Sequence, residues 1–330
     1  MSIKKMNIKK VFVAGKVHPL GLKVLEERDD IDFRMIDHPT ESDFINLLPD
    51  YDALLIRTMR LPKQALLNSK QLKVISRHGV GYDNVPVDLA TKMNIPVAII
   101  ENVNAIAVAE HTLSMILALA KQTCQYDREV RQGNWAIQNS LAASELWNKK
   151  ILLVGFGRIG FEVLKRLKGF DAEVLVYDPY LSDEKVKEYG VTRVKLLKEA
   201  VQIADIISLH IPLTPETDNL FDEQMISLMK QSAFLINTAR GGLIDEFALA
   251  QALKYSRIKG AALDTVIDEP MPASSPLAQQ ENVLLSPHSA GLTDECAARM
   301  GISSVKNVIA GLDGYLNQNL VVNREVLITE

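Results

Sequence analysis

The chain has 330 residues, of which 47% are hydrophobic and 24% charged, with a formal net charge of −4. That length suggests about two domains, and the composition is that of a globular enzyme with a sizeable core. The weak negative charge gives no reason to expect nucleic acid or an anionic membrane as partner, and Cys124 and Cys296, far apart and in no CxxC arrangement, make neither a disulfide framework nor a zinc site.

A reducing cytoplasm is therefore the expected location, and no metal is expected. The basic start, MSIKKMNIKK, runs into an apolar stretch at 11–15 that is too short for a leader core. The longest apolar stretch, 113–120, is interrupted by Ser114 and falls far short of the ~20 residues of a membrane span.

Taken in order, residues 11–14 read as a buried strand, 20–27 as a helix and 33–36 as a second strand. Residues 42–48 suit a short helix, 53–56 a third strand and 64–68 a helix. Residues 74–76 form a fourth strand leading into RHGVGYDNV, followed by a helix at 89–93 and a strand at 97–100. This alternation predicts one doubly wound domain without a GxGxxG of its own. Residues 104–121, apolar on most sides, predict a buried helix joining two domains. Residues 132–144 lack periodicity and read as a connecting loop around Trp135.

Residues 149–179 read KKILLVGFGRIGFEVLKRLKGFDAEVLVYDP. An apolar run at 151–154 leads to Gly155, Gly157 and Gly160. A helical pattern and a second apolar run at 174–177 follow, ending at Asp178. This is one βαβ unit. Its glycines suit a tight turn, a close backbone approach to a pyrophosphate and close helix packing. The helix N-terminus offers free N–H groups to phosphates. Asp178 suits the adenosine ribose hydroxyls and repels a 2′-phosphate, so NAD is the expected cofactor. Further strands are expected at 205–209, 234–237, 260–263 and 283–285, with helices at 222–228 and 246–254. A long helix at 294–311, with Asp294 near its start, is expected to carry the chain back to the first domain.

Open α/β sheets bind ligands outside the carboxyl ends of their strands. There the second domain presents His210, Pro212 and the TPET segment with Thr217, then Thr238, Ala239 and Arg240. Asp264 and Glu269 come next, and finally His288. This set suits hydride transfer on a 2-hydroxy or 2-oxo acid. Arg240 offers a planar, always-charged donor to the substrate carboxylate and carbonyl. His288 suits the base that takes the hydroxyl proton, and Glu269 suits the carboxylate that orients its ring.

NTARGGLIDE (237–246), LDTVIDEP (263–270) and SPHSAG (286–291), behind GFGRIG, resemble the D-isomer-specific 2-hydroxyacid dehydrogenases. HGVGYDNVPV (78–87) and NAIAVAEHTLSMILAL (104–119) extend the resemblance over nearly the whole chain. It implies an α/β fold of two doubly wound parallel-sheet domains. In it a Rossmann NAD domain, 104–298, is inserted into a flavodoxin-like substrate domain, 1–103 with 299–330. It implies Arg240, Glu269 and His288 as the catalytic set, and substrate contacts from the backbone of Val80 and Gly81. It implies NAD contacts from Arg158, Ile159, Asp178, His210, Pro212, Thr238, Arg240 and Asp264, with Val108 packing on the nicotinamide. It also implies a homodimer.

Two departures stand out: Ala107 where many members have serine, and Trp147–Asn148 where a glycine is usual. Phosphoglycerate dehydrogenase is the branch that looks nearest, because HGVGYDNV and VYDPY both suit it, and its short form is expected, because the chain ends at Glu330. Arg57 and Arg60, after the third strand, suit a substrate phosphate. Glycerate or hydroxypyruvate reduction is the alternative within the class. An NAD-sensing corepressor-like binding protein is the alternative outside it, and a formate or phosphite dehydrogenase has no clear pattern here.

Overall fold

The computed structural model describes residues 8–100 and 103–327. The basic start up to Asn7, read above for a leader, lies outside the described residues. The chain divides into two units, Met1–Asn104 with Thr293–Glu330, and Ala105–Leu292.

The first unit holds β1 (Lys9–Ala14), β2 (Ile31–Ile36), β3 (Ala53–Ile56), β4 (Val74–Arg77) and β5 (Val97–Ala98). They form one parallel sheet in the order β2-β1-β3-β4-β5, the flavodoxin-like order. Successive side chains point to opposite faces. Phe12, Leu54 and Ile75 therefore pack on Phe44 and Leu48 on one side. Val13, Leu55 and Val74 pack on the other side against Leu25, Val305 and Val308. The last two belong to the helix Asp294–Asp313, capped by the Thr293 hydroxyl, which accepts from Cys296 N.

The second unit holds β6 (Lys150–Val154), β7 (Glu173–Tyr177), β8 (Thr192–Arg193), β9 (Ile206–Leu209), β10 (Phe234–Asn237), β11 (Gly260–Leu263) and β12 (Val283–Leu285). All are parallel, in the order β12-β11-β10-β9-β6-β7-β8. Strand order reverses between β6 and β9, the switch point at which doubly wound sheets bind dinucleotides. Leu152 and Val154 face one apolar cluster, Ile151 and Leu153 the other. The helix Ala105–Lys121 joins the second cluster through Ala109, Ile116 and Leu119.

The differences from expectation have physical causes. The fifth strand stops at Ala98 because the next N–H groups turn elsewhere: Ile99 N donates to Leu320 O and Ile100 N to Gly79 O. Three helices escaped the sequence reading: Thr123–Arg131, Asp183–Tyr189 and Leu197–Ile203. The first two bury no residue, so they carry no apolar period to detect. The expected loop around Trp135 contains a 3₁₀ turn, Trp135–Ser140. Asn148, at the departure noted above, has φ +58°, the left-handed conformation that glycine takes most easily and asparagine tolerates.

Candidate active site

In the second unit, the turn after β6 is forced by Gly155, whose φ is +92°. A Cβ there would lie 2.6 Å from the carbonyl oxygen of His210, so no side chain fits. At Gly160 a Cβ would lie 2.7 Å from Gly155 O, which lets the helix Arg158–Leu167 seat against the turn. Gly157, the N-cap, meets no atom within 4 Å of its missing Cβ. Open space therefore lies before a helix N-terminus whose first N–H groups have no intrahelical partner. This arrangement fits a pyrophosphate. Arg158 beside it is exposed and Ile159 is half-buried.

Asp178 stands at the end of β7. Its Oδ2 accepts from Phe156 N and its Oδ1 from Tyr180 N, both at 2.8 Å. Each oxygen keeps a further lone pair for a ribose hydroxyl. After β9, His210 Nε2 lies 2.9 Å from Ser208 Oγ, and burial pushes the imidazole down to about 4, so it is neutral. Thr217 closes the following loop by donating to Pro212 O at 2.7 Å and accepting from Thr214 N at 2.8 Å.

After β10, the buried Asn237 side chain sets the turn: Nδ2 donates to Arg240 O at 2.8 Å, and Oδ1 accepts from Ala239 N at 3.0 Å. This presents Arg240, whose Nη1 donates to Ala239 O at 2.7 Å. Thr238 is buried against Thr112, the hydroxyls 3.0 Å apart, and Thr112 donates to the carbonyl of the buried Val108.

After β11, Asp264 is almost wholly buried and its carboxylate serves the next segment. It accepts from Ser289 N at 2.8 Å, Ala290 N at 3.0 Å and the Ser286 hydroxyl. His111 Nε2 in turn lies 3.0 Å from Ser286 Oγ. The carbonyl of Asp264 accepts from His288 N at 2.8 Å. His288 has φ +52°, a conformation costing a non-glycine residue roughly 1–2 kcal/mol. These bonds hold it there. Its Nδ1 lies 2.7 Å from Glu269 Oε2, and about a third of each side chain is exposed. Beneath Glu269, Glu246 accepts from Ile267 N at 2.6 Å; burial, then Asp268 and Glu269, raise the pKa of Glu246.

In the first unit, Arg57 and Arg60 share the segment after β3. Arg57 is half-buried, donates from Nη1 to Lys16 O at 3.3 Å, and is lowered in pKa by desolvation. Arg60 is exposed and its side chain makes no hydrogen bond or ion pair among the described residues. After β4 the N–H groups of Val80 and Gly81 have no backbone acceptor among the described residues. The register pairs Ile56 with Arg77, which sets Arg57 beside His78. Burial, with Arg57 and Arg77 nearby, pushes His78 down to about 4. Sequence reasoning passed over Arg77 and His78, although both lie in RHGVGYDNV. It also passed over Asn237, visible only as a polar residue ending an apolar strand, and over His111 and Ser286.

Among the described residues no group of three or more His, Cys, Asp or Glu is placed to hold a metal, and no helix is long and apolar enough to cross a membrane. A family model described as D-isomer specific 2-hydroxyacid dehydrogenase, NAD binding domain, matches residues 113–290. A D-3-phosphoglycerate dehydrogenase of Methanocaldococcus jannaschii is 36% identical over 94% of this chain and 59% of its own length. The chain thus spans less than two thirds of that relative. A glyoxylate reductase of Thermofilum pendens is 38% identical, covering 96% of this chain and 95% of its own. A solved NAD-dependent formate dehydrogenase from Staphylococcus aureus, in complex with NAD, superposes with a TM-score of 0.86 at 29% identity, covering 94% and 98% of the two chains.

Proposed function

The chain belongs to the family of D-isomer specific 2-hydroxyacid dehydrogenases, and from that premise we propose that it is an NAD-dependent oxidoreductase acting at C2 of a small 2-hydroxy or 2-oxo acid. The observation that carries this reading is the Glu269–His288 pair at 2.7 Å. With Nδ1–H donated to the carboxylate, the Nε2 lone pair is the one left to take a substrate proton.

Bound NAD supplies the hydride acceptor at such a site, held at Gly155–Gly160 and Asp178. The chain's own residues do the rest. Arg240 binds the carboxylate and polarises the C2 oxygen. His288 takes the hydroxyl proton in oxidation and returns it in reduction. Glu269 stabilises the imidazolium formed in between. His210, kept neutral by burial, adds no charge at the cofactor.

In the first unit, the N–H groups of Val80 and Gly81, without a backbone acceptor among the described residues, suit the substrate carboxylate, and Arg57 and Arg60 suit a second anionic group. That supports 3-phosphoglycerate and 3-phosphohydroxypyruvate as the substrate pair. Reduction of an unphosphorylated acid, hydroxypyruvate or glyoxylate, is the second reading, favoured by the glyoxylate reductase at 38% identity. A homodimer belongs to the same proposal; exposed Trp135, Leu141 and Trp147 in the second unit support it, and sedimentation measures it.

The test is a panel of 3-phosphohydroxypyruvate, hydroxypyruvate, glyoxylate and pyruvate with NADH, compared by kcat/KM. Highest kcat/KM for the phosphorylated acid supports the first reading. Equal or higher values for hydroxypyruvate or glyoxylate support the second. No turnover of any of the four overturns both.

A further inference from the structure

The loop that carries Arg57 and Arg60 has no regular structure of its own between Arg57 and Pro62. An exposed loop of this kind samples many conformations unless its backbone is tied down. One side chain ties it. Asn84 Nδ2 donates to Arg57 O at 3.0 Å and to Met59 O at 2.8 Å. The carbonyl of Asn84 accepts from Leu61 N at 2.9 Å. Leu61 itself is buried, which seats the far end of the loop.

The orientation of the amide is dictated by these partners. Turned over, it would set its oxygen against two carbonyl oxygens. Among the described residues, Asn84 Oδ1 is buried and accepts no hydrogen bond, so the side chain works here through its two N–H groups. Asn84 is itself placed by a tight turn, in which Val85 N donates to Tyr82 O at 2.9 Å. The same turn follows Val80 and Gly81.

We propose that Asn84 is the positioning residue of the substrate's anionic subsite, its two amide N–H groups fixing the backbone at Arg57 and at Met59, the residue before Arg60. This rests on the reading that Arg57 and Arg60 meet the substrate. Fixing the backbone at positions 57 and 59 removes conformational freedom before the substrate arrives, so binding does not have to supply that order. The effect belongs in substrate affinity. It does not belong in proton or hydride transfer, which the second unit supplies.

The experiment compares Asn84→Ala, Asn84→Asp, Arg57→Ala and Arg60→Ala with wild type, using 3-phosphohydroxypyruvate and hydroxypyruvate with NADH. Asn84→Asp keeps the shape but replaces both donors with oxygen. Both Asn84 variants are expected to raise KM for the oxo acid on the order of tenfold, the scale of losing one or two neutral hydrogen bonds. The kcat and the KM for NADH are expected to stay within about twofold. If the arginine variants raise KM and Asn84→Asp does not, the Asn84 proposal is overturned while the subsite reading stands. If neither arginine variant changes KM, the subsite reading falls and the proposal with it. Loss of kcat together with lowered melting temperature at unchanged KM assigns Asn84 a structural role only, which also overturns it.

Discussion

The carboxyl-end rims of the two sheets are built differently. In the second unit nearly every polar side chain at the rim is fixed by others. Asn237 sets the turn of Arg240, Asp264 gathers Ser286, Ser289 and Ala290, and Glu269 meets His288. In the first unit Arg60 stands exposed and, among the described residues, without a hydrogen-bond or ion-pair partner, and the loop bearing it is tied mainly through Asn84. A rim that moves protons and a hydride needs groups held to a fraction of an ångström. A rim that selects among anionic substrates needs charge and reach more than rigidity. In the function proposed above, chemistry belongs to the second unit and substrate choice to the first, and each prediction below is aimed at that division.

The largest effect is expected at His288. His288→Ala should lower kcat by ~10²–10⁴-fold, the usual share of general acid–base catalysis, and leave NADH affinity near wild type. Stopped-flow turnover with fluorescence titration of NADH checks both; wild-type turnover would remove His288 from the mechanism. Next, Asp264→Ala removes the acceptor of two buried backbone N–H groups and a hydroxyl. It should cost about 3 kcal/mol or more in urea denaturation, as hydrogen bonds to a buried charged group are lost. Asn84→Ala should cost far less stability, and equal losses at the two positions would erase the contrast between the rims.

Arg60→Ala should reduce kcat/KM for a phosphorylated oxo acid roughly tenfold more than for an unphosphorylated one, the scale of one charge-assisted contact. Equal losses would mean that Arg60 does not read a phosphate. Asp178→Ala should narrow the preference for NADH over NADPH, because the repelling carboxylate is gone. An unchanged ratio of the two kcat/KM values would contradict that role.

The smallest effect concerns acid. His78 and His210 are each held neutral down to about 4, against 6.5 for a free imidazole. Between those values the unfolded chain binds protons that the folded chain refuses, so stability falls as pH drops through this window. Melting temperature should therefore decline from about pH 6.5 towards 4. The decline should be shallower in His210→Gln, and an identical slope would show that His210 carries none of it.

Much of this was legible in the sequence because parallel strands buried on both faces leave short, continuous apolar runs. The runs at β3, β6 and β11 are of that kind, and β9 and β10 are broken only by the buried Ser208 and Asn237. The helices Thr123–Arg131 and Asp183–Tyr189 were hard to see because no residue of either is fully buried, the second offering only Val186 and Tyr189 to the core. At the candidate site, reading the residue that follows each strand singled out Arg240, Asp264 and the segment holding His288, because open α/β sheets bind ligands at those strand ends. The same rule cannot show what holds them. Asn84, Asn237, Ser286 and His111 act through bonds to other segments, His111 and Ser286 being 175 residues apart in sequence. Such pairs are specified by tertiary geometry and leave no local pattern. Asp264 teaches the converse. Its place after β11 was plain, but its duty to the His288 loop was not.

The central claim is that this chain passes a hydride to C2 of a 2-oxo acid while His288 handles the proton. The most direct measurement uses NADH carrying deuterium at both C4 positions, with 3-phosphohydroxypyruvate and, separately, hydroxypyruvate and glyoxylate. Products are read by NMR for the wild type and His288→Ala. The account predicts deuterium at C2 of a D-configured hydroxy acid where C2 is stereogenic, with formation slowed at least a hundredfold in the variant. Deuterium absent from C2, an L-configured product, or equal rates in the two proteins would contradict it.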